Sequence, residues 1–548
     1  MKPMEKKGGI CYNRNSIYGQ VRAVKKTLAV FLCVVLLAGL FSGCRKSAVS
    51  ALYLAVNGTA GSFDPQIAAG DAVRIVVRNS FEGLVALDEA GVPVPAAAER
   101  WTVSPDGLVY TFYLRKGALW HVSDTVKKGL EEKLPEDFAP EVTAADFVFA
   151  LRRAVDPVTG APDAALLSNI KGAADILTGA AAPAALGVAA EGKYRLTVTL
   201  ERPEPGFLEA LAEPVAMPCN QAFFEATGGR YGLLMKYIIS NGPFYLTRFE
   251  DTAFRMARNP DYTGARVAKT DVIWLYSGEA QSVVLENLGS KDYDGACLPE
   301  RVALANAPKG AEVLNAADTL RGFLFNCKNE ALAEANIRRA FFASAEPQVL
   351  AEAFGKEPAA AVCPASLKPQ TAFAVRYNEA RAESLMRAGL ESLGMQNVSL
   401  SLLCEETYDT AMRRYLQTWQ RVFGVLCSVE IEAVSADTLK TRVETGDYDL
   451  AFYPVRADRY APAAYFARFA DALCGWNNDA YAAAVENLRF AEGDAADLQK
   501  NAETLLSGAN VFLPVWQEGT SFVAVSGVSG VSLLSGPDRL YLCNAQKD

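Results

Sequence analysis

Residues 101–121 read WTVSPDGLVYTFYLRKGALWH and residues 142–155 read VTAADFVFALRRAV; these two stretches set the fold class. From Gly107 to Leu114, apolar and polar positions alternate among β-branched and aromatic residues, which is the period of a half-buried strand. From Ala144 the period changes. Phe147, Phe149, Ala150 and Leu151 recur at helical spacing behind a capping Thr143, which predicts a helix to about Val155. The same two periods run outward along the chain. Residues 51–57, 194–200, 429–433 and 448–455 read as strands. Residues 331–354, 379–392 and 413–422 read as helices, with Ala388-Gly389 a candidate end or interruption of the second. The Ala- and Gly-rich segment 172–188 fits neither period. Strands that alternate with helices point to α/β layers.

The chain has 548 residues, 51% of them hydrophobic and 21% charged, which excludes a disordered or collagen-like chain. That length suggests roughly three to four compact units. No internal repeat or low-complexity linker divides it, so the units are expected to be discontinuous. Seven Lys and Arg residues and one acid, Glu5, stand in the first 43 positions. Removing them from the totals of 54 basic and 63 acidic residues leaves 47 and 62, a net charge of −15. An acidic body without a basic run is a poor nucleic-acid binder.

Absent motifs narrow the chemistry. His121 is the only histidine, so a multi-His zinc site cannot form, and any histidine base would have to be this residue. There is no GxxxxGK[ST], GxSxG or HExxH. Asp292-Tyr293-Asp294-Gly295 begins a calcium-loop pattern but lacks its bidentate Glu. Eight scattered cysteines follow Cys44 without a CxxC, and their pairing cannot be read from spacing. No catalytic set, metal or cofactor is expected.

The N-terminus carries an export signal. Lys25 and Lys26 precede the apolar run TLAVFLCVVLLAGLF, residues 27–41, about fifteen residues against the ~20 that span a bilayer. Leu40-Phe41-Ser42-Gly43-Cys44 then resembles a bacterial lipobox, with Phe41 where Leu is usual. The expectation is a signal peptide over 1–43, diacylated Cys44 as the mature N-terminus and a linker over 44–50. This places the protein on the outer side of the cell membrane or in the periplasm.

Several segments together resemble the extracellular solute-binding proteins of family 5, the oligopeptide- and dipeptide-binding components of ABC importers. They are Asn57-Gly58-Thr59, Ser62-Phe63-Asp64-Pro65 and Glu82-Gly83-Leu84, then Trp101, Asp106-Gly107, Tyr110-Thr111-Phe112 and Leu114-Arg115-Lys116-Gly117. Trp120-His121, residues 142–148, Asn241-Gly242-Pro243-Phe244-Tyr245, Arg258-Asn259-Pro260-Asp261-Tyr262, residues 337–340 and Gly446-Asp447-Tyr448-Asp449 continue the order. The resemblance implies a two-lobed, periplasmic-binding-protein-like α/β fold with an extra subdomain and a ligand cleft between the lobes. Lobe I would take 51–88, 205–300 and 515–548; the subdomain 89–204; lobe II 301–514. The implied function is a monomeric, lipid-anchored receptor, not an enzyme, that passes peptides to an ABC permease. A non-peptide ligand (nickel chelate, haem, sugar), a signalling or chaperone role and, less strongly, an exported hydrolase remain alternatives.

The resemblance also implies a site. In the segment 456–462, Asp458 stands where the family pairs a carboxylate with a peptide's α-ammonium, and Tyr460 lies beside it. Ala69-Gly70-Asp71 corresponds to the loop that offers main-chain groups to the peptide's first residues. Val455 takes the place of the Trp usual in oligopeptide binders, and Pro454 has no N–H to donate. His121, Trp419 and Trp516 fall outside the expected site.

Overall fold

The computed structural model describes residues 49–548 except 90, 131–133, 205, 291, 458–461, 471–472, 492–494 and 535–537. Its frame is one ten-stranded mixed sheet. The order across it is Cys427–Val434, Val398–Glu405, Leu450–Arg456, Glu312–Phe325, Phe512–Ala524, Gly295–Pro299, Ala51–Ala55, Val272–Tyr276, Ala253–Arg258 and Phe244–Glu250. Two strands stand out. Glu312–Phe325 has 14 residues and Phe512–Ala524 has 13, and they run antiparallel along their length. At about 3.3 Å per residue each is long enough to serve two lobes.

Their pairing changes halfway. Glu312–Ala316 pairs with residues 520–524, whereas Thr319–Leu324 pairs with residues 512–518, and the register slips between Ala316 and Thr319. On the first side of this bulge the sheet continues into Gly295–Pro299 and Ala51–Ala55; on the second it continues into Leu450–Arg456 and Val398–Glu405. Gly519 sits at the slip, where a Cβ would lie 2.0 Å from the Ala316 carbonyl oxygen. Only glycine lets the two backbones approach this closely. Such a bulge bends a strand locally, and here it marks the point where both crossing strands change neighbours, referred to below as the hinge.

The apolar core follows the same division. One cluster joins residues 52–303 with 522–545, and two more cover the opposite faces of the sheet between Leu320 and Trp516. Trp419 and Trp516 are buried there. A separate four-stranded sheet, ordered Ala98–Val103, Val109–Leu114, Arg195–Thr199 and Val188–Ala190, packs against helix Ala144–Val155. That helix begins where the sequence places it. The Thr143 N–H donates to Asp146 Oδ2 (2.7 Å), and its hydroxyl donates to the same oxygen (3.0 Å).

Three element readings change. The helix read over 331–354 is three pieces, Glu330–Ala333, Ala335–Ala343 and Pro347–Ala353, because Glu334 and Glu346 each restart the chain as a cap and Pro347 opens a first turn. Helix Glu379–Ser392 runs through Gly389 without interruption. The glycine there makes room for Ile337, whose Cγ1 lies 2.6 Å from where a Cβ would stand. The helix read from Arg413 starts at Asp409. Among the described residues, no helix is long and apolar enough to cross a membrane.

Candidate functional site

The hinge places two segments from opposite lobes face to face. The first begins at Gly70, whose φ of +82° is a conformation glycine adopts without strain. Helix Asp71–Ser80 follows, with Ala72, Val73, Ile75, Val76 and Val77 buried and Asp71 in its first turn, where the helix dipole favours an anion. The second is the end of strand Leu450–Arg456. Asp71 Oδ1 lies 3.8 Å from Arg456 Nη1, with both side chains partly exposed. The next residue is fixed to the hinge: the Ala457 N–H donates to the Asp318 carbonyl oxygen (2.7 Å). Arg468 Nη1 donates to the Arg456 carbonyl oxygen (2.8 Å).

Strand Leu450–Arg456 lies between two strands of unequal reach. Along one side it pairs with the first crossing strand from Phe325 to Thr319. On the other side its parallel partner, Val398–Glu405, reaches only Leu450 and Ala451. Across the gap, a cavity of about 140 Å³ opens at the carboxyl ends of parallel strands Ala51–Ala55 and Val272–Tyr276, lined among others by Asn57, Tyr276, Glu279 and Cys297. The carboxyl edge of parallel strands is where open α/β sheets hold ligands. The cavity adjoins Asp71: burial, and then the Asp71 carboxylate, push the Cys297 thiol up to about 12.

Behind Asp71 lies a buried charge cluster that holds its helix. Glu213 pairs with Arg78 (2.6 Å), Arg539 (2.5 Å) and Arg74 (3.3 Å), and Asp538 pairs with Arg74 (2.9 Å) and Arg78 (3.2 Å). Burial alone would raise the Asp538 carboxyl. Arg78, Arg74, Arg456 and Arg539 more than offset that and hold it well below the usual carboxylate range. At the far end of the gap, Arg489 of helix Asp479–Arg489 reaches Glu204 (2.8 Å) and Ser168 (3.2 Å), while Arg202 pairs with Glu486 and lies 3.9 Å over the Phe490 ring. These pairs join residues 202–204 to helix Asp479–Arg489 and Phe490.

Ala69 and Gly70 are exposed, and the partly exposed Asp71 lies 3.8 Å from Arg456. Val455 is fully buried in the lobe II core, so its side chain packs inward and leaves only its main chain near the gap. Asp458, Tyr460 and Cys44 lie outside the described residues. His121 packs against the Tyr245 ring, 4.0 Å between centroids, with Nδ1 2.8 Å from Asp261 Oδ2. Among the described residues, no group of three or more His, Cys, Asp or Glu is placed to hold a metal ion. Sequence reasoning did not single out Arg456, Arg74 or the Arg202–Glu486 and Arg489–Glu204 pairs. The one available signal was an Arg ending a strand two places before the expected Asp.

A family model described as bacterial extracellular solute-binding proteins, family 5 middle, matches residues 92–475. A dipeptide-binding protein of Lactococcus lactis is 26% identical over 457 residues, 78% of this chain and 80% of that one. The periplasmic oligopeptide-binding protein OppA of Haemophilus influenzae is 26% identical over 510 residues, 88% of this chain and 91% of that one. The solved structure of Listeria monocytogenes OppA bound to peptide superposes with a TM-score of 0.73 at 23% identity, covering 91% of this chain and 99% of that one. The superposition and the paired crossing strands bear out the two-lobed α/β fold expected from the sequence.

Proposed function

The chain belongs to family 5 of the bacterial extracellular solute-binding proteins, and on that premise we propose that it captures peptides in its interlobe cleft and delivers them to an ABC permease. The observation that carries the peptide reading is the approach of the Gly70–Asp71 loop to the end of strand Leu450–Arg456, where Asp71 Oδ1 lies 3.8 Å from Arg456 Nη1. An extended peptide laid against a strand bonds through its main chain, so recognition is largely independent of its side chains. Asp458, two residues beyond Arg456, supplies a carboxylate for the peptide's α-ammonium, a charge-assisted hydrogen bond in a cleft that closes over it. Ala69, Gly70 and Asp71 contribute from lobe I. Within this reading the lobes divide as expected from the sequence: 51–88, 205–300 and 515–548 in lobe I, 89–204 in the subdomain and 301–514 in lobe II. Neither the cleft nor the family calls for catalysis.

Pro454 lies within strand Leu450–Arg456 and cannot donate from its nitrogen. This favours, as a second reading, a receptor of the same fold for a non-peptide ligand. Mass spectrometry of ligand released by denaturing the purified protein separates the two. The expected result is a mixture of peptides with free amino termini. A single non-peptide compound released in stoichiometric amount would replace the first reading with the second.

The proposal extends to the anchor. Cys44 carries the lipid that keeps the receptor at the outer face of the cell membrane, next to its permease. Cys44→Ser is expected to release the protein from the membrane fraction or to leave it uncleaved. A variant that stays membrane-bound, processed and palmitate-labelled like the wild type would end the lipoprotein reading.

A further inference from the structure

All eight cysteines in the described residues are unbridged, and seven of them are buried. Two of the eight lie against each other. Cys327 follows the first crossing strand, and Cys474 precedes helix Asp479–Arg489. The Cys327 N–H donates to the Cys474 carbonyl oxygen at 2.7 Å. Residues joined in this way have Cα atoms roughly 5–6 Å apart, inside the ~4.4–6.8 Å that a disulfide spans. The chains are pressed together on either side of that bond: a Cβ on Gly475 would lie 2.7 Å from Lys328 Cγ and 3.3 Å from Asn326 Oδ1.

Each sulfur faces a main-chain carbonyl of one of two bonded residues. Cys327 Sγ lies 3.9 Å from the Phe325 carbonyl oxygen, and Cys474 Sγ lies 3.5 Å from the Val511 carbonyl oxygen. Those two residues are themselves joined, because the Phe325 N–H donates to the Val511 carbonyl (3.0 Å). Burial raises both thiols above their ordinary range, and at Cys474 the next largest influence is Cys327. Cys327 is partly exposed, so an oxidant in solution can reach it, whereas Cys474 has no exposed surface.

We infer that Cys327 and Cys474 form a disulfide once the exported chain meets a disulfide oxidant. The step is an exchange. Cys327, as thiolate, attacks an external disulfide, expels one thiol and forms a mixed disulfide. Cys474 then loses its proton, attacks the Cys327 sulfur and expels the second thiol. The two cysteines are oxidised by two electrons, and one small-molecule or protein disulfide is reduced to two thiols. The bond would tie the end of a crossing strand to the segment that positions Arg489, so it would brace the lobe II side of the interlobe pairs. The inference rests on the export reading only for where it happens, because an exported compartment permits such bonds and a reducing one does not.

The test has two arms. In the first, full-length protein purified under reductant is transferred to oxidised glutathione, alkylated in denaturant and digested with trypsin. The expected product joins peptide 322–328 to peptide 469–489, is 2 Da lighter than the two together, and disappears in Cys327→Ser and in Cys474→Ser. Oxidised protein should also melt a few degrees higher than reduced protein, a difference absent from the double Ser variant. Alkylation of both cysteines, a stable glutathione adduct on Cys327, or linkage to another cysteine would overturn the inference. In the second arm, cells are quenched with alkylating agent before lysis. The linked peptide is expected there too. If the pair closes with glutathione but is reduced in cells, the pair stands and the export reading falls.

Discussion

Asp458→Ala is expected to weaken binding of a free-amine peptide roughly 30- to 4,000-fold. Removing one partner of an enclosed, hydrogen-bonded charge pair costs on the order of 2–5 kcal/mol, most of it the penalty of leaving the other charge unpaired. Strand Leu450–Arg456 ends at Arg456, 3.8 Å from Asp71, and the Ala457 N–H donates to the Asp318 carbonyl. N-acetylated peptides should bind the wild type poorly and lose much less on going to the variant, since they carry no ammonium to strand. Calorimetry on the four combinations closes a cycle that isolates the pair. Equal losses for free and acetylated peptides would mean that Asp458 does not contact the ammonium.

The second large effect concerns stability. Glu213→Ala should lower unfolding stability by about 3–5 kcal/mol, the cost of stranding buried partners by removing one member of an ion pair. Glu213, Arg78 and Arg539 are almost wholly buried, and a single carboxylate serves both guanidiniums together with Arg74. Without it, Arg78 retains its contact with Asp538 (3.2 Å). The loss is read as a lower urea midpoint with unchanged slope. The exposed pair Arg195–Glu191 is the control: Glu191→Ala should move the midpoint little, because solvent screens such pairs. Since Arg74 and Arg78 belong to the helix that presents Asp71, the variant should also bind ligand less tightly at temperatures where it is still folded. An unshifted midpoint would show that the cluster does not hold that helix.

Much of this architecture can be read from residue order. The alternation at 107–114 and the capped period from Thr143 appear as strand Val109–Leu114 and helix Ala144–Val155, because each has one buried face and a clear start signal. The long helix read over 331–354 failed because its apolar residues keep a helical period through two restarts; only Glu334 and Glu346-Pro347 mark the breaks. Gly389 misled in the opposite direction. It resembles a stop signal but serves a close helix approach, and such contacts leave no trace in local sequence. The crossing strands show the same limit. Nothing in residues 312–325 or 512–524 announces that one strand serves two lobes; that follows from which strands pair on each side of Gly519. At the site, family order pointed to the loop at Gly70 and the strand before Asp458, and the structure brings Asp71 of the one within 3.8 Å of Arg456 of the other. Val455, expected at the pocket, has its side chain buried in the core, a phase of the strand that sequence alone does not fix. The bridging charges, Arg202 with Glu486 and Arg489 with Glu204, join residues nearly three hundred positions apart, which single-sequence reading cannot pair.

The central claim is that peptide closes this hinge. Small-angle scattering on the purified receptor, with and without defined peptide pools from dipeptides to about ten residues, tests it most directly, with melting temperature recorded on the same samples. A ligand that binds the closed form preferentially should reduce the radius of gyration and raise the melting temperature as its concentration rises. If no pool changes either quantity, peptide is not the ligand that closes the cleft.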